Sequence, residues 1–506
     1  MKGPLSGTFP PLSIDRHGTT PLFRQVYAAL SAAILDRRLP AGTKLPATRS
    51  LAAQLALSRT AIVAAYEQLL AEGYTTGRVG SGTYVVDDLP GKPRGRAAPA
   101  AKTGRPIDDS RPRLVGRVDV TLLNDARPFN LGRTLVDART MDVWRRLSAR
   151  SLRSLSRAHL GYGDPRGTPE LRHALANYLA SHRAVRCDPE QIIVTSGTQH
   201  AIDLVARVLL PAGSDAWVED PGYPLTREAL ASAGVALHAI PVDGHGLDVA
   251  TGTALAPQAR AAFVTPSHQF PTGVVMSMAR RLELIDWAHR AKAWIVEDDY
   301  ASEFRYGGHP LAALQGLDDN DRTLYVGTLN KALFPSLRVG YLVVPDTLLP
   351  RFVTARYLAD RQPPGLQQDV LASFIADGHL ASHIRRMRAL YREQRDRLVD
   401  ALHRQAGDFL QVDSPDQGMH LVAYTRRDLS DTDAAAAARK HDVVVRALSR
   451  LSIRTRPRQG LLLGFSGYPT SAIAPAASRL AKAIQPLIGR GRCPSPSRAR
   501  SGRPCP

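Results

Sequence analysis

The stretch YVGTLNKALFPSLRVGYLVVP, residues 325–345, sets one lysine between two apolar runs, and an arginine follows seven positions later. Burial disfavours a charged ammonium, so Lys331 in such surroundings would bind its proton less tightly. A neutral amine is a nucleophile and forms a Schiff base with an aldehyde. Arg338 offers the charged donors that grip a phosphate. Upstream, EDDYASEFRY puts Asp298 and Asp299 at the end of the apolar run AWIV, with Tyr300 beside them. Either acid could hold a proton on a pyridine nitrogen, and the tyrosine could hydrogen-bond a ring hydroxyl. VTSGTQHAIDLVARVLL reads as strand, turn and helix, with Ser196, Gly197 and Thr198 at the helix start. Free N–H groups and the helix dipole favour a phosphate there. Tyr223, in EDPGYPLTREAL, could stack on a flat ring. Singly, each has a plainer reading: a strand-end lysine reaching solvent, a solvated acid pair, a capped helix, a packing tyrosine. Their joint order along the chain is the stronger signal.

The elements that must position these groups are short apolar strands such as QIIVTSG, AAFVTP, AWIVEDD, TLYVGT and GYLVVP, separated by helical patterns over residues 126–487. Strands of that kind, buried on both faces, predict a mostly parallel α/β sheet. A different unit precedes it at residues 15–88. Leu22, Val26, Tyr27, Leu30 and Ile34 line one face of a first helix. LPATRSLAAQLALS gives a second, with Thr48 as a candidate N-cap and Arg49 ahead of the helix body, placed for a phosphate. A turn at Ala56–Leu57 leads to a third helix capped by Ser58, whose inner face is Ile62, Ala65, Tyr66, Leu69 and Leu70. Arg59 and Thr60 then point outward from its first turn, as in a helix-turn-helix whose second helix enters the major groove. GYTTGRVGSGTYVV follows as a β-hairpin wing containing Arg78 and Gly82.

The 506 residues are too many for one ordinary domain. Between the two units, residues 89–125 read as a flexible basic linker, and residues 488–506 as a disordered basic tail. The formal charge of +20 invites a nucleic-acid reading, but its distribution matters more than its size. Residues 89–118 hold eight Lys/Arg and two Asp, residues 488–506 five Arg and no acid, and residues 1–88 nine basic against six acidic groups. Pattern, not charge, therefore has to carry a DNA-binding argument. No apolar run is long enough to span a bilayer, and the first residues lack a signal-peptide core. Three scattered cysteines predict neither a disulfide framework nor a metal site, which fits a reducing cytoplasm.

The words G-x-x-LPATR-x-LA-x-QL-x-x-SR-x-x-V-x-x-AY-x-x-L-x-x-EGY resemble the winged helix-turn-helix of GntR-type regulators. That resemblance implies that Arg49, Arg59 and Thr60 touch double-stranded operator DNA, helped by the wing from Arg78 to Gly82. The later segments resemble fold-type I pyridoxal-phosphate enzymes, a large α/β domain with a smaller C-terminal α+β subdomain. The order matches: phosphate turn, stacking aromatic, HQFPTG, acid, lysine, arginine. Under it Lys331 is the Schiff-base residue for pyridoxal 5'-phosphate. Arg338 joins Ser196, Gly197 and Thr198 at the phosphate. Tyr223 stacks on the ring, and Asp298 faces the pyridine nitrogen, with Asp299 as the alternative. Tyr162, in GYGDPRGTPELR, resembles the tyrosine that reaches a neighbouring subunit's cofactor, which implies a domain-swapped or head-to-tail homodimer.

Together the two halves resemble the MocR family of bacterial transcription regulators, with EDDYASEFRY and GHLASHIRRMRALYREQRD closer to that family than to free-standing aminotransferases. The resemblance implies a cytoplasmic, nucleoid-associated regulator whose large domain senses pyridoxal phosphate or an amine. Three positions depart from the aminotransferase pattern. Asn330 stands where Ser precedes the lysine. Phe270 stands where an Asn bonds the ring hydroxyl, which leaves His268 or Gln269, with Tyr300, to contribute. Leu462 stands where an arginine would clamp an amino acid's carboxylate. Weak or absent transamination follows as an expectation. The signal is then either pyridoxal phosphate itself, as in a PdxR-like branch, or an amino-acid-like effector held by Arg227 or Arg446. An active aminotransferase with an appended DNA-binding domain is the alternative.

Overall fold

The computed structural model describes residues 9–16, 18–78, 81–87, 125–308, 311–426, 429–454 and 457–488. The linker and the tail expected from sequence lie outside the described residues, apart from Asp125 and Ile488 at their edges. Two compact units emerge, one within residues 1–107 and one within residues 108–506.

The first unit has helices α1 (Leu22–Leu35), α2 (Thr48–Leu55) and α3 (Arg59–Ala71), then strands β1 (Thr75–Arg78) and β2 (Gly82–Val85). Val26, Leu30 and Ile34 of α1 pack with Leu51, Ile62, Ala65 and Leu69 in one apolar core. Phe9, Leu12 and Ile14 lie against the same core, so the unit begins before residue 15. The Ser58 hydroxyl accepts the Ala61 N–H at 3.2 Å, which caps α3 as expected. Thr48 does not cap α2: Ala47 precedes the first turn and Thr48 is already helical. Arg49 is therefore the second residue of α2 rather than a residue ahead of it. Leu70 is 51% exposed, because the helical repeat that turns Ile62, Ala65, Tyr66 and Leu69 inward carries the next position round to solvent. β1 and β2 pair antiparallel from Thr75 opposite Val85 to Arg78 opposite Gly82, forming the expected wing.

The second unit is built on an eight-stranded sheet. In chain order its strands are β3 (Ile192–Thr195), β4 (Asp215–Asp220), β5 (Ala236–Asp243), β6 (Gly246–Leu247), β7 (Ala261–Val264), β8 (Trp294–Asp299), β9 (Thr323–Thr328) and β10 (Gly340–Val343). Their spatial order is β3-β10-β9-β8-β7-β4-β5-β6. β3, β7, β9 and β10 are buried at every position, which is why they read as unbroken apolar runs. The centre, β9-β8-β7-β4-β5, is parallel as expected. β10 is an exception within this mostly parallel sheet and runs antiparallel to both neighbours. The connection from Thr328 to Gly340 is too short for the crossover that a parallel neighbour needs. The chain turns straight back instead, and this return loop carries both Lys331 and Arg338.

A second, four-stranded antiparallel sheet follows, from β11 (Leu410–Val412), β12 (His420–Thr425), β13 (Arg446–Ala447) and β14 (Gly460–Gly464), in the order β11-β12-β14-β13. It packs on the long helix His379–Ala406 and the helix Ile473–Ile484 through Leu398, Leu402, Leu461, Leu463 and Leu480. This is the smaller α+β subdomain. Among the described residues no helix is long and apolar enough to cross a membrane.

Candidate functional site

Lys331 sits in the turn after β9, and its Nζ lies 3.5 Å from the Gly132 carbonyl oxygen. A Cβ on Gly132 would come within 2.7 Å of that amine, so bare backbone forms this wall. Burial, then the charges of Arg446 and Arg338, hold the lysine below its usual basicity, against an opposing pull from Asp298. Asn330 fastens the loop: its N–H donates to the Thr328 hydroxyl at 3.2 Å, and its side-chain oxygen accepts the Val339 N–H at 3.1 Å. The departure from Ser therefore leaves the lysine well held. Arg338, in the left-handed region at φ 51°, turns its side chain toward the start of the helix Thr198–Leu209. The residue before that helix is Gly197, at φ 104°. A Cβ there would sit 3.0 Å from the Asn330 side-chain nitrogen and 3.5 Å from the Arg338 guanidinium. The Ser196 N–H donates to His200 Nδ1 at 3.2 Å. Ser196, Gly197, Thr198 and Arg338 thus meet at one helix N-terminus.

The two acids at the end of β8 have separate tasks. Asp299 accepts Arg183 Nε at 2.7 Å and the Tyr325 hydroxyl at 2.6 Å, and is committed to that buried cluster. Asp298 carries a buried oxygen, Oδ1, with no hydrogen-bond partner. Burial first, then Asp299 and Glu219, push its carboxyl up to about 8, against Lys331. The Tyr300 hydroxyl is also buried and unpartnered, as are both ring nitrogens of His268. Burial and the nearby His420 hold the His268 ring neutral, with its pKa lowered to about 3. Gln269, the other candidate for a ring hydroxyl, is spent: it donates to Glu219, Pro221 and Phe270 and accepts from Thr272. Phe270 packs edge-on to Tyr223, with ring centroids 5.3 Å apart. Tyr223 ends the loop after β4, and the charges of Asp298, Arg446 and Arg338 all act on its hydroxyl. The same three groups act on Lys331, which gathers all of them round one space.

The second sheet supplies two residues to that space. Arg446 on β13 pairs directly across from Leu462 on β14. His420 on β12 feels both Lys331 and Arg446, and its ring is held neutral, near pKa 4, mainly by burial. Its Nε2 lies 3.1 Å from the Pro271 carbonyl, which can only accept, so the proton is on Nε2. The sequence reading missed His420, Glu219 and Arg183. His420 lies in an ordinary strand about ninety residues after Lys331, and no local spacing marks it. Arg227 lines the same cavity as Tyr223 and Asp298, and one of its guanidinium nitrogens donates to the Leu451 carbonyl at 2.9 Å. Tyr162 is 80% exposed, with the Arg361 guanidinium 4.9 Å from its ring centroid.

These residues fit pyridoxal 5'-phosphate: an amine for its aldehyde, an unpartnered acid for its ring nitrogen, an unpartnered hydroxyl for its ring oxygen, and a glycine-lined helix start with an arginine for its phosphate. In the first unit, Arg49, Arg59 and Thr60 are exposed in the first turns of α2 and α3. Gly82 takes φ 114°, and a Cβ there would meet the Lys44 side chain at 3.0 Å. Arg78 is described by its backbone alone, in β1.

Residues 22–85 match the bacterial regulatory proteins of the gntR family, and residues 128–461 match aminotransferase class I and II. The probable rhizopine catabolism regulatory protein MocR of Rhizobium meliloti is 39% identical over 98% of this chain and 100% of its own length. The chain belongs to the MocR family. This MocR-family regulator is also 30% identical to the pyridoxine biosynthesis regulator PdxR of Corynebacterium glutamicum, over 94% of this chain and 98% of the relative. Among solved structures, its aminotransferase-like part resembles LysN, the alpha-aminoadipate aminotransferase of Thermus thermophilus, complexed with N-(5'-phosphopyridoxyl)-L-leucine. That likeness has a TM-score of 0.68 at 25% identity, over 74% of this chain and 96% of LysN. The protein is thus a transcriptional regulator with an aminotransferase-like domain.

Proposed function

We propose that this regulator holds pyridoxal 5'-phosphate at Lys331, and that an amine bearing an acid group acts there to set the affinity of the winged helix for operator DNA. The convergence of Lys331, Asp298, Tyr223 and Arg338 carries the reading. When bound, the cofactor supplies an aldehyde that condenses with amines and a ring that accepts electrons. Lys331, kept less basic by burial and two guanidinium groups, is the amine that holds that aldehyde. Asp298 holds a proton at the ring nitrogen, Tyr300 and His268 face the ring hydroxyl, and Tyr223 covers the ring. The start of the helix at Thr198, with Ser196, Gly197 and Arg338, holds the phosphate. Tyr162 reaches a second subunit's site, which makes the working form a homodimer. Arg49, Arg59, Thr60 and the wing from Arg78 to Gly82 bind the DNA.

Arg446 favours an amine effector over the cofactor alone as signal. It stands directly across from Leu462, beside the position where an aminotransferase clamps a carboxylate, and its charge reaches Lys331. An effector must bind one dimer conformation better than the other to change DNA affinity. The test is the visible absorption of the protein and of Lys331→Ala, with and without amino acids and acid-free amines, read alongside operator affinity. A visible band lost in Lys331→Ala, and shifted by amines that carry an acid group, supports the reading. The absence of any band after adding the cofactor would overturn it. Sustained turnover of an amino acid with a 2-oxo acid would favour the active-enzyme alternative. Arg446→Leu should keep the band yet weaken the response to acid-bearing amines by about tenfold or more, the loss expected for one charge-assisted hydrogen bond.

A further inference from the structure

Parts of EDDYASEFRY and GHLASHIRRMRALYREQRD lie away from Lys331 and meet at a second cavity of about 340 Å³. Glu303 and Arg305 come from the first motif, Arg385 and Arg388 from the second, and Tyr178 and Arg183 from the helix Pro169–Arg183. Glu303 accepts the Tyr178 hydroxyl at 3.3 Å, while its other oxygen, Oε2, is buried without a partner. Arg305 donates to Gln417 at 3.3 Å, and its Nε is likewise buried without a partner. Arg388 donates to the Glu303 carbonyl at 2.9 and 3.1 Å, and Arg385 stands exposed one turn before it. The cavity therefore holds a carboxyl, pushed up to about 7 by burial and by Asp299, and a guanidinium, each with an unused position, beside three further guanidinium groups, Arg183, Arg385 and Arg388.

We propose that this cavity is a second small-molecule site, for a zwitterion whose ammonium meets Glu303 and whose acid group meets Arg305, Arg385 and Arg388. Buried groups left without partners cost stability, and such a ligand would satisfy both. The wall residue Arg183 gives the site a route to the cofactor. It holds Asp299 at 2.7 Å and donates to the Ser267 hydroxyl at 2.6 Å. Those two residues are the chain neighbours of Asp298 and His268, so a ligand against Arg183 bears on both groups at the Lys331 site.

The probe is N,N-dimethylglycine, a zwitterion whose tertiary ammonium keeps one N–H but cannot condense with an aldehyde. Calorimetry on the full-length, cofactor-loaded protein should show saturable binding of one molecule per chain. Glu303→Gln and Arg385→Glu should each weaken it by about tenfold or more. Arg385 is exposed, so its variant tests the site even where Glu303→Gln disturbs folding. No saturable binding, or binding unchanged in Arg385→Glu, would overturn the proposal.

Discussion

Asp298 and Asp299 are neighbours of identical chemistry, yet one is fixed by an arginine and a tyrosine and the other keeps a buried oxygen unpartnered. The difference is testable through pH. Without cofactor, burial and then Asp299 and Glu219 push the Asp298 carboxyl up to about 8, against a usual carboxylate value near 4 in the unfolded chain. Between those values the folded state keeps a proton that the unfolded state has lost, so stability falls as pH rises through this window and levels off above it. Asn at 298 carries no such penalty. Asp298→Asn should gain on the wild type by up to about 1.4 kcal/mol per pH unit between pH 5 and 8, measured by denaturant unfolding without cofactor. The same variant should bind the cofactor more weakly. A gap independent of pH would mean that Asp298 is ionised throughout.

The elements make different demands on adjacent residues. Ser58 caps α3, and Arg59, next to it, points to solvent. Ser58→Ala should cost about 1 kcal/mol of stability in the DNA-binding unit. Arg59→Ala should leave stability within about 0.5 kcal/mol but weaken operator binding and lower its salt slope by about 1. Equal loss of stability in both variants would contradict this division. At the proposed phosphate end, Gly197 serves a helix start that needs φ 104°. Gly197→Ala should lower stability by about 1–3 kcal/mol through backbone strain and reduce cofactor affinity as its methyl crowds Asn330 and Arg338. Wild-type affinity in that variant would show that the cradle tolerates a side chain.

For the whole molecule, the two units are joined by a segment whose residues 89–118 carry eight Lys/Arg and two Asp. If that segment binds DNA, replacing its basic residues with Ser should flatten the dependence of log operator affinity on log salt, by about 0.9 for each phosphate no longer neutralised. An unchanged slope would leave it the role of a tether. The proposed homodimer is tested at this scale too: sedimentation at working concentrations should give twice the chain mass, and a monomer that still carries the cofactor band would remove Tyr162 from the site.

Local chemistry determined much of this protein. The apolar runs of β3, β7, β9 and β10 are legible because strands buried on both faces leave no polar alternation. The cap at Ser58, the outward Arg59 and Thr60, and the glycines of the wing are all short-range consequences of residue type. Lys331 and Arg338 could be paired from sequence because one loop carries both. What the sequence left open was decided by residues that only folding brings near. Asp298 could not be told from Asp299 until Arg183, 116 positions before Asp299, claimed the latter. Gln269 looked available until Glu219 and Thr272 engaged both ends of its amide. Arg446 and His420 gained a place beside Lys331 only when the second sheet was set against the first, because charge and burial act through space and not along the chain.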